Sequence, residues 1–267
     1  MSQFRFSEMG FSAVQFHDDD AVPDINNYSE AEIIEKAKEV KVILDKYKMA
    51  AEFVAPRLWM DSHTIDGGFM SSFEEDREYA MWRAYRSIDI ANVLGCDKIV
   101  LWLAREGTLC AESKSPVDAT NYLIEAINKM LTYDANIKVL IEPKPNEPID
   151  RSVCGTMGHV MGVSAATIDP KRVGGLLESA HAILAGLDPS HEMGFALALG
   201  KLWGVHLNDQ NGIKFDQDKS FGVENLRQAL EQKVAKFDYA KQKEFVSNRD
   251  FEGLELYVLQ LLMGIES

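Results

Sequence analysis

VGGLLESAHAILAGLDPSHEMGFALALGKLWGVHLND, the stretch Val173–Asp209, carries the pattern on which the fold turns. It opens on the apolar run Val173–Leu177 and breaks into Glu178-Ser179-Ala180-His181. It then passes through the helically periodic Met193–Leu202 and closes on a second apolar run, Trp203–Leu207, whose end reads His206-Leu207-Asn208-Asp209. Two short apolar runs separated by an amphipathic segment predict two parallel strands joined by a crossover helix. Carboxylates and imidazoles stand where each run stops.

The same alternation extends on both sides. Apolar runs occur at Ser12–Phe16, Ala50–Ala55, Lys98–Leu103 and Ile137–Glu142, with a weaker one at Val234–Asp238. Helical periodicity fills Glu30–Tyr47, Phe73–Leu94 and Val117–Tyr133, and an apolar helix is expected at Leu254–Met263. Neither GxGxxG nor GxxxxGK[ST] is present, which disfavours a nucleotide-binding Rossmann domain. The pattern predicts one α/β domain over residues 1–267, a TIM-type (β/α) barrel with its chemistry on the loops after the strands. Seven strand candidates are one short of a full barrel. Because the chain opens almost directly on a strand, the first βα unit is the element expected to be missing.

Composition narrows the class. The 267 residues are 46% hydrophobic, enough for one large core. No window approaches the roughly 18 uninterrupted apolar residues of a membrane span. MSQFRFSEMG lacks the basic start and apolar stretch of a signal peptide, so a cytoplasmic location is expected. A net charge of −14 repels phosphate backbones and disfavours nucleic-acid binding. Cys96, Cys110 and Cys154 form neither a disulfide framework nor a CxxC knuckle, which fits a reduced compartment.

The strand ends supply the candidate chemistry. Phe16-His17-Asp18-Asp19-Asp20 closes the first run, and Glu142-Pro143-Lys144-Pro145 closes the fourth. Asp216-Gln217-Asp218 lies beyond the sixth, and Asp238 ends the weak seventh. Singly, each has an ordinary explanation: a solvated acidic turn, a rigid loop entry, a surface Glu–His pair, a core histidine, loop charges. In a barrel these groups converge, and buried carboxylates are costly unless paired or metal-bound. Converging Asp, Glu and His without thiolate suits Mg²⁺, Mn²⁺ or Co²⁺. The ligands exceed what one octahedral ion needs, so two divalent ions sharing a carboxylate are expected.

FHDDD followed by Pro23, then DGGF (Asp66–Phe69), LW-x-x-REG (Leu101–Gly107), IEPKPNEP (Ile141–Pro148), KFDQD (Lys214–Asp218) and KFDY (Lys236–Tyr239) resemble xylose isomerase, in that family's order, from about Gly10 to Tyr239. The resemblance implies that Glu142, Glu178, His206 and Asp238 hold a first metal. Glu178 would bridge to a second, completed by His181, Asp216 and Asp218. Lys144 would contact the substrate carbonyl oxygen, and His17, oriented by Asp20, the sugar ring oxygen. Trp59 and Trp102 would line the sugar pocket, with Glu142 and His181 also facing substrate. The activity implied is aldose–ketose isomerisation by a metal-assisted hydride shift between C1 and C2, with no organic cofactor.

Four features depart from that pattern. His206 replaces a carboxylate, a softer ligand that favours Mn²⁺ or Co²⁺, and His-Leu-Asn-Asp also looks like L-rhamnose isomerase. The first strand and helix have no counterpart, and an open barrel edge of that kind invites a partner subunit. No long C-terminal arm follows, so a homo-oligomer is expected but not the family's tetramer. The segment from Asp218 to Asp238 is short, which makes Asp238 the weakest ligand assignment. The alternatives are an epimerase or a hydrolase on the same barrel, or a metal-binding pseudoenzyme. The acidic charge argues against DNA as substrate, and Lys144 with His17 argues for a sugar carbonyl.

Overall fold

A computed structural model describes residues 6–263. Part of the opening stretch that bears on a signal peptide, positions 1–5, lies outside the described residues. The elements follow one another as β1 (Ala13–His17), α1 (Asp18–Ala21), α2 (Glu30–Lys46), β2 (Ala50–Ala55), α3 (Glu74–Leu94), β3 (Lys98–Trp102), α4 (Pro116–Tyr133), β4 (Lys138–Glu142), α5 (Met157–Ala166), β5 (Val173–Glu178), α6 (Ser179–Leu184), α7 (Pro189–Ala198), β6 (Leu202–His206), α8 (Leu226–Phe237), α9 (Tyr239–Ser247) and α10 (Phe251–Leu262).

The six strands make one curled parallel sheet in chain order, β1 to β6, with β1 and β6 at its two ends. This is the expected TIM-type arrangement with fewer than eight strands. Helices cover the sheet, so its central strands are apolar almost throughout, as parallel strands buried on both faces must be, while β1 and β6 at the ends are more exposed. All six residues of β5 are buried, as are Val139–Glu142 of β4 and Ile99–Leu101 of β3. Two glycines in β5 are required by close approach. A Cβ on Gly174 would be driven into the Trp203 ring of the neighbouring strand, and one on Gly175 into the Met157 side chain of α5.

Helix ends follow local chemistry. Ser29 and Glu32 form a reciprocal capping box at α2, and Gly95 ends α3 in the left-handed region at φ 80°. The Ser115–Pro116 and Asp188–Pro189 pairs start α4 and α7, with a capping oxygen followed by a proline in the first turn. That second pair also corrects an expectation. The helix predicted over Met193–Leu202 begins four residues earlier, and Leu202 already belongs to β6.

Val234–Asp238 is not a strand. It falls within and just after α8, whose N-terminus is capped by Asn225 accepting from the Gln228 amide. Leu230 and Val234 are buried four residues apart, the spacing of a helix face. Periodicity over so short a run cannot separate helix from strand, and length decided for the helix. The parallel sheet of the described residues therefore has six strands, not seven. A further two-residue antiparallel pair, Gly107–Thr108 with Arg151–Ser152, was too short to leave a pattern in the sequence.

No helix among the described residues is long and apolar enough to cross a membrane. Beneath the strand ends, Asp18 is fully buried and receives both Arg83 Nε and Nη2 at 2.7 Å. It also accepts from the backbone amides of Asp19 and Arg57. The acidic triplet after β1 thus splits in function: Asp18 anchors the loop, while Asp19 and Asp20 pair with Arg57.

Candidate metal centre

Register brings the key groups level. Trp102 pairs with Glu142 across β3 and β4, and Glu178 pairs with His206 across β5 and β6. His181 lies in the first turn of α6, three residues after Glu178, which puts the two side chains on adjoining faces. Asp216 and Asp218 arrive on the loop after β6. That loop is pinned at its base by buried Asp209, which bridges to Lys219 through the backbone and accepts from the amides of Glu224 and Asn225 at 3.0 and 3.1 Å.

Two groups result. Glu142, Glu178 and His206 form one, and Glu178, His181 and Asp216 form the other; within each, the candidate donor atoms lie within 4.8 Å of one another. His206 Nδ1 stands 3.4 Å from both Glu142 Oε1 and Glu178 Oε2. His181 Nε2 is 3.2 Å from Glu178 Oε1 and 3.1 Å from Asp216 Oδ2. Asp218 stands one step out: Asn208 donates to both Asp218 Oδ1 and Glu178 Oε1 at 2.8 Å. Asn208 itself is fixed by accepting the Ala180 amide.

Charges are distributed unevenly over these groups. Burial works against a charge on Glu178, but His206, His181 and Asn208 outweigh it and hold the carboxyl at about 2. Glu142 is wholly sequestered, and burial pushes it up despite the same histidines. Of this pair, Glu178 carries the settled negative charge. Burial alone would lower His206, yet the two carboxylates raise it to about 10, and His181 is raised by the same competition. Asp216 is held below the usual carboxylate range, its burial offset by His181 and Lys144, whereas Asp218 is pushed up by burial and by the charges of Asp216 and Glu178.

The donor set fits divalent cations. Every candidate ligand is an oxygen or an imidazole nitrogen, and His181 Nδ1 and Asp216 Oδ1 are buried with no hydrogen-bond partner among the described residues.

Around this centre stands an aromatic wall. Trp59 and Trp102 meet edge-to-face at 4.2 Å, and Trp102 stacks near His181 at 6.4 Å. The Lys144 ammonium lies 4.8 Å over the Trp102 ring, between Glu147 at 2.7 Å and Asp216 at 2.9 Å. Those two acceptors raise Lys144 despite its burial, so it is a fixed cation. His17 packs against Trp59 with its Nδ1 3.1 Å from Asp20 and 2.9 Å from Arg57 Nη2. Asp20 can only accept and Arg57 can only donate, so the two compete for Nδ1, which serves one of them at a time. Burial and Arg57 lower His17, against the raising effect of Asp20 and Asp19.

Asp238 is not brought to this centre. It sits between α8 and α9, where Tyr257 of α10 hydrogen-bonds to it. Its assignment assumed a strand end, and the helix carries it elsewhere.

Sequence reasoning passed over several supporting residues. Arg57 completes the His17–Asp20 arrangement. The REG motif proves to be framework: Arg105 Nε holds the Trp59 carbonyl at 2.8 Å, and buried Glu106 accepts the amides of Gly68, Phe69 and Met70 at 2.8–3.0 Å. A Cβ on Gly107 would strike the Arg151 carbonyl, which explains the glycine. Glu106 thereby ties DGGF to REG, a link visible in the sequence as two motifs but not as a contact.

Comparison with known proteins agrees with this architecture. The family model described as xylose isomerase-like TIM barrel matches residues 5–258. Xylose isomerase of Thermus thermophilus is 32% identical over 230 residues, 85% of this chain, but the chain spans only 59% of that relative's length. Among solved structures, a D-tagatose 3-epimerase-like protein superimposes with a TM-score of 0.66 at 16% identity, over 96% of this chain and 94% of its own. A 3-keto-D-glucoside 4-epimerase from E. coli gives 0.65 at 14% identity, over 87% and 81%. By sheet, strand-end chemistry and family match together, the chain belongs to the xylose isomerase-like TIM barrel family, whose members include sugar isomerases and epimerases.

Proposed function

We propose that the protein is a divalent-metal-dependent sugar isomerase that interconverts an aldose and a ketose by hydride transfer between C1 and C2 of the open chain. The observation that carries this reading is the sharing of Glu178 by two buried ligand groups at the strand ends, beside a fixed lysine and an aromatic wall. Glu142, Glu178 and His206 would hold one ion, and Glu178, His181 and Asp216 the other, with Asp218 in support. Bound there, the ions would supply Lewis acidity to the substrate oxygens.

The chain's own residues account for the remainder. Lys144 offers an ammonium donor to the carbonyl oxygen, where negative charge grows as the hydride arrives at the carbonyl carbon. Trp59 and Trp102 present apolar faces to the sugar's C–H groups and keep water out, which protects the migrating hydrogen from exchange. His17, held by Asp20 and Arg57 beside Trp59, would contact the ring oxygen during opening.

A second reading, epimerisation, is favoured by the end-to-end fold likeness to the D-tagatose 3-epimerase-like protein, against partial coverage of the xylose isomerase. Turnover in D₂O separates the two. Protein loaded with Mn²⁺ or Co²⁺ would be incubated with xylose, glucose, rhamnose and ketohexoses, and the products followed by NMR. An aldose–ketose pair with the migrating hydrogen retained from substrate is expected. An epimer carrying solvent deuterium at the inverted carbon would establish the second reading, and no turnover on this panel would overturn the isomerase.

A further inference from the structure

The sheet's two ends, β1 and β6, are not paired by backbone hydrogen bonds, yet one side-chain contact crosses between them. His206 Nε2 lies 2.9 Å from Gln15 Oε1, joining residues 191 apart in sequence. The other end of the Gln15 amide, Nε2, donates to Glu52 Oε2 on β2 at 3.0 Å.

This chain of contacts fixes proton positions. A carboxylate can only accept, so the amide nitrogen of Gln15 must face Glu52 and its oxygen must face His206. The oxygen in turn requires a proton on His206 Nε2. With that proton fixed, the lone pair of a neutral ring falls on Nδ1, the atom facing Glu142 and Glu178. The backbone is built to the same end. Between Val14 and Phe16 the register of β1 with β2 shifts: Val14 pairs with Ala51 but Phe16 with Val54. Two residues of β2, Glu52 and Phe53, thus oppose Gln15 alone, as in a bulge that re-aims side chains. Glu52 orients the amide, while the Phe53 ring lies 6.1 Å from the His206 ring.

We infer that Gln15, oriented by Glu52, is a positioning residue that locks His206 in the Nε2–H tautomer and so presents Nδ1 as a ligand to a divalent ion held with Glu142 and Glu178. This rests on the metal reading above and adds to it a supporting shell reaching across the seam. Groups that orient a ligand histidine in this way are worth about 10–100-fold in metal affinity. Gln15 is exposed, where water can partly replace it, so the effect belongs at the lower end.

The test is calorimetric titration of metal-free protein with Mn²⁺, together with ¹⁵N NMR of the histidine side chains after loading with Zn²⁺, a diamagnetic probe. In the parent protein, His206 should show a protonated Nε2 and a ligating Nδ1. Gln15→Leu should weaken one of two binding events about tenfold, leave the other unchanged and lose the ordered Nε2–H signal. Gln15→Asn, one methylene short, should do the same and serves if the leucine variant fails to fold. The exchange Gln15→Glu with Glu52→Gln rebuilds acceptor and donor in swapped order and should restore most of the affinity. Parent-like binding and an unchanged His206 tautomer in Gln15→Leu would overturn the inference. A parent protein that binds neither Mn²⁺ nor Zn²⁺ would instead overturn the metal reading.

Discussion

Glu178→Gln is expected to empty both metal positions at once. Glu178 is common to the two ligand groups, and both its oxygens are engaged, Oε1 toward His181 and Asn208 and Oε2 toward His206. The amide keeps the shape but removes the one carboxylate held ionised by three neighbours, and it turns a donor toward an imidazole. The loss should exceed the roughly 10–100-fold cost of removing a merely supporting group, leaving near-zero metal after dialysis. His181→Asn is the contrast. It removes a ligand from only one group, so it should weaken one position and spare the other. Metal analysis of dialysed protein checks both; full metal content in Glu178→Gln would mean that the carboxylate is not shared.

Lys144→Met should abolish turnover while leaving metal content intact. Methionine preserves the apolar stem against Trp102 and deletes the ammonium, so packing survives and the donor does not. Removing a preorganised donor to a developing oxyanion costs about 10²–10³-fold in kcat, and a loss of at least that size is expected. Asp216, relieved of its 2.9 Å ion pair with Lys144, becomes freer to bind a cation, so metal affinity should hold or rise. A variant that retains parent kcat would remove the lysine from the mechanism.

The barrel architecture was legible because its central strands are buried on both faces and its helices on one. Six apolar runs stood where β1 to β6 form, and the polar residues ending them are those that converge. Glu142, Glu178, His181, His206 and Asp216 could be picked out because a carboxylate or imidazole at the end of an apolar run is out of keeping with its surroundings. Asp238 failed because the run before it was short enough to suit either period, and the helix moved it away. Other contacts depend on distance through space alone. Gln15 stood two residues before His17 on one strand, a position that alternation marks as sharing its face, but only the curl of the sheet brings it to His206. Arg57, Asn208 and Asp209 likewise gain their partners from loops whose course no local periodicity encodes.

The segment from Gly68 to Met70 has no strand or helix of its own, yet its three amides end on one buried carboxylate. To exchange with solvent, each must first separate from Glu106, and the carboxylate must then either be hydrated in the interior or be carried outward with the chain after β3. Irregular backbone of this kind should therefore exchange its amide hydrogens as slowly as the central strands do, and the loop beside the aromatic wall belongs to the most slowly opening part of the molecule rather than to its mobile fringe.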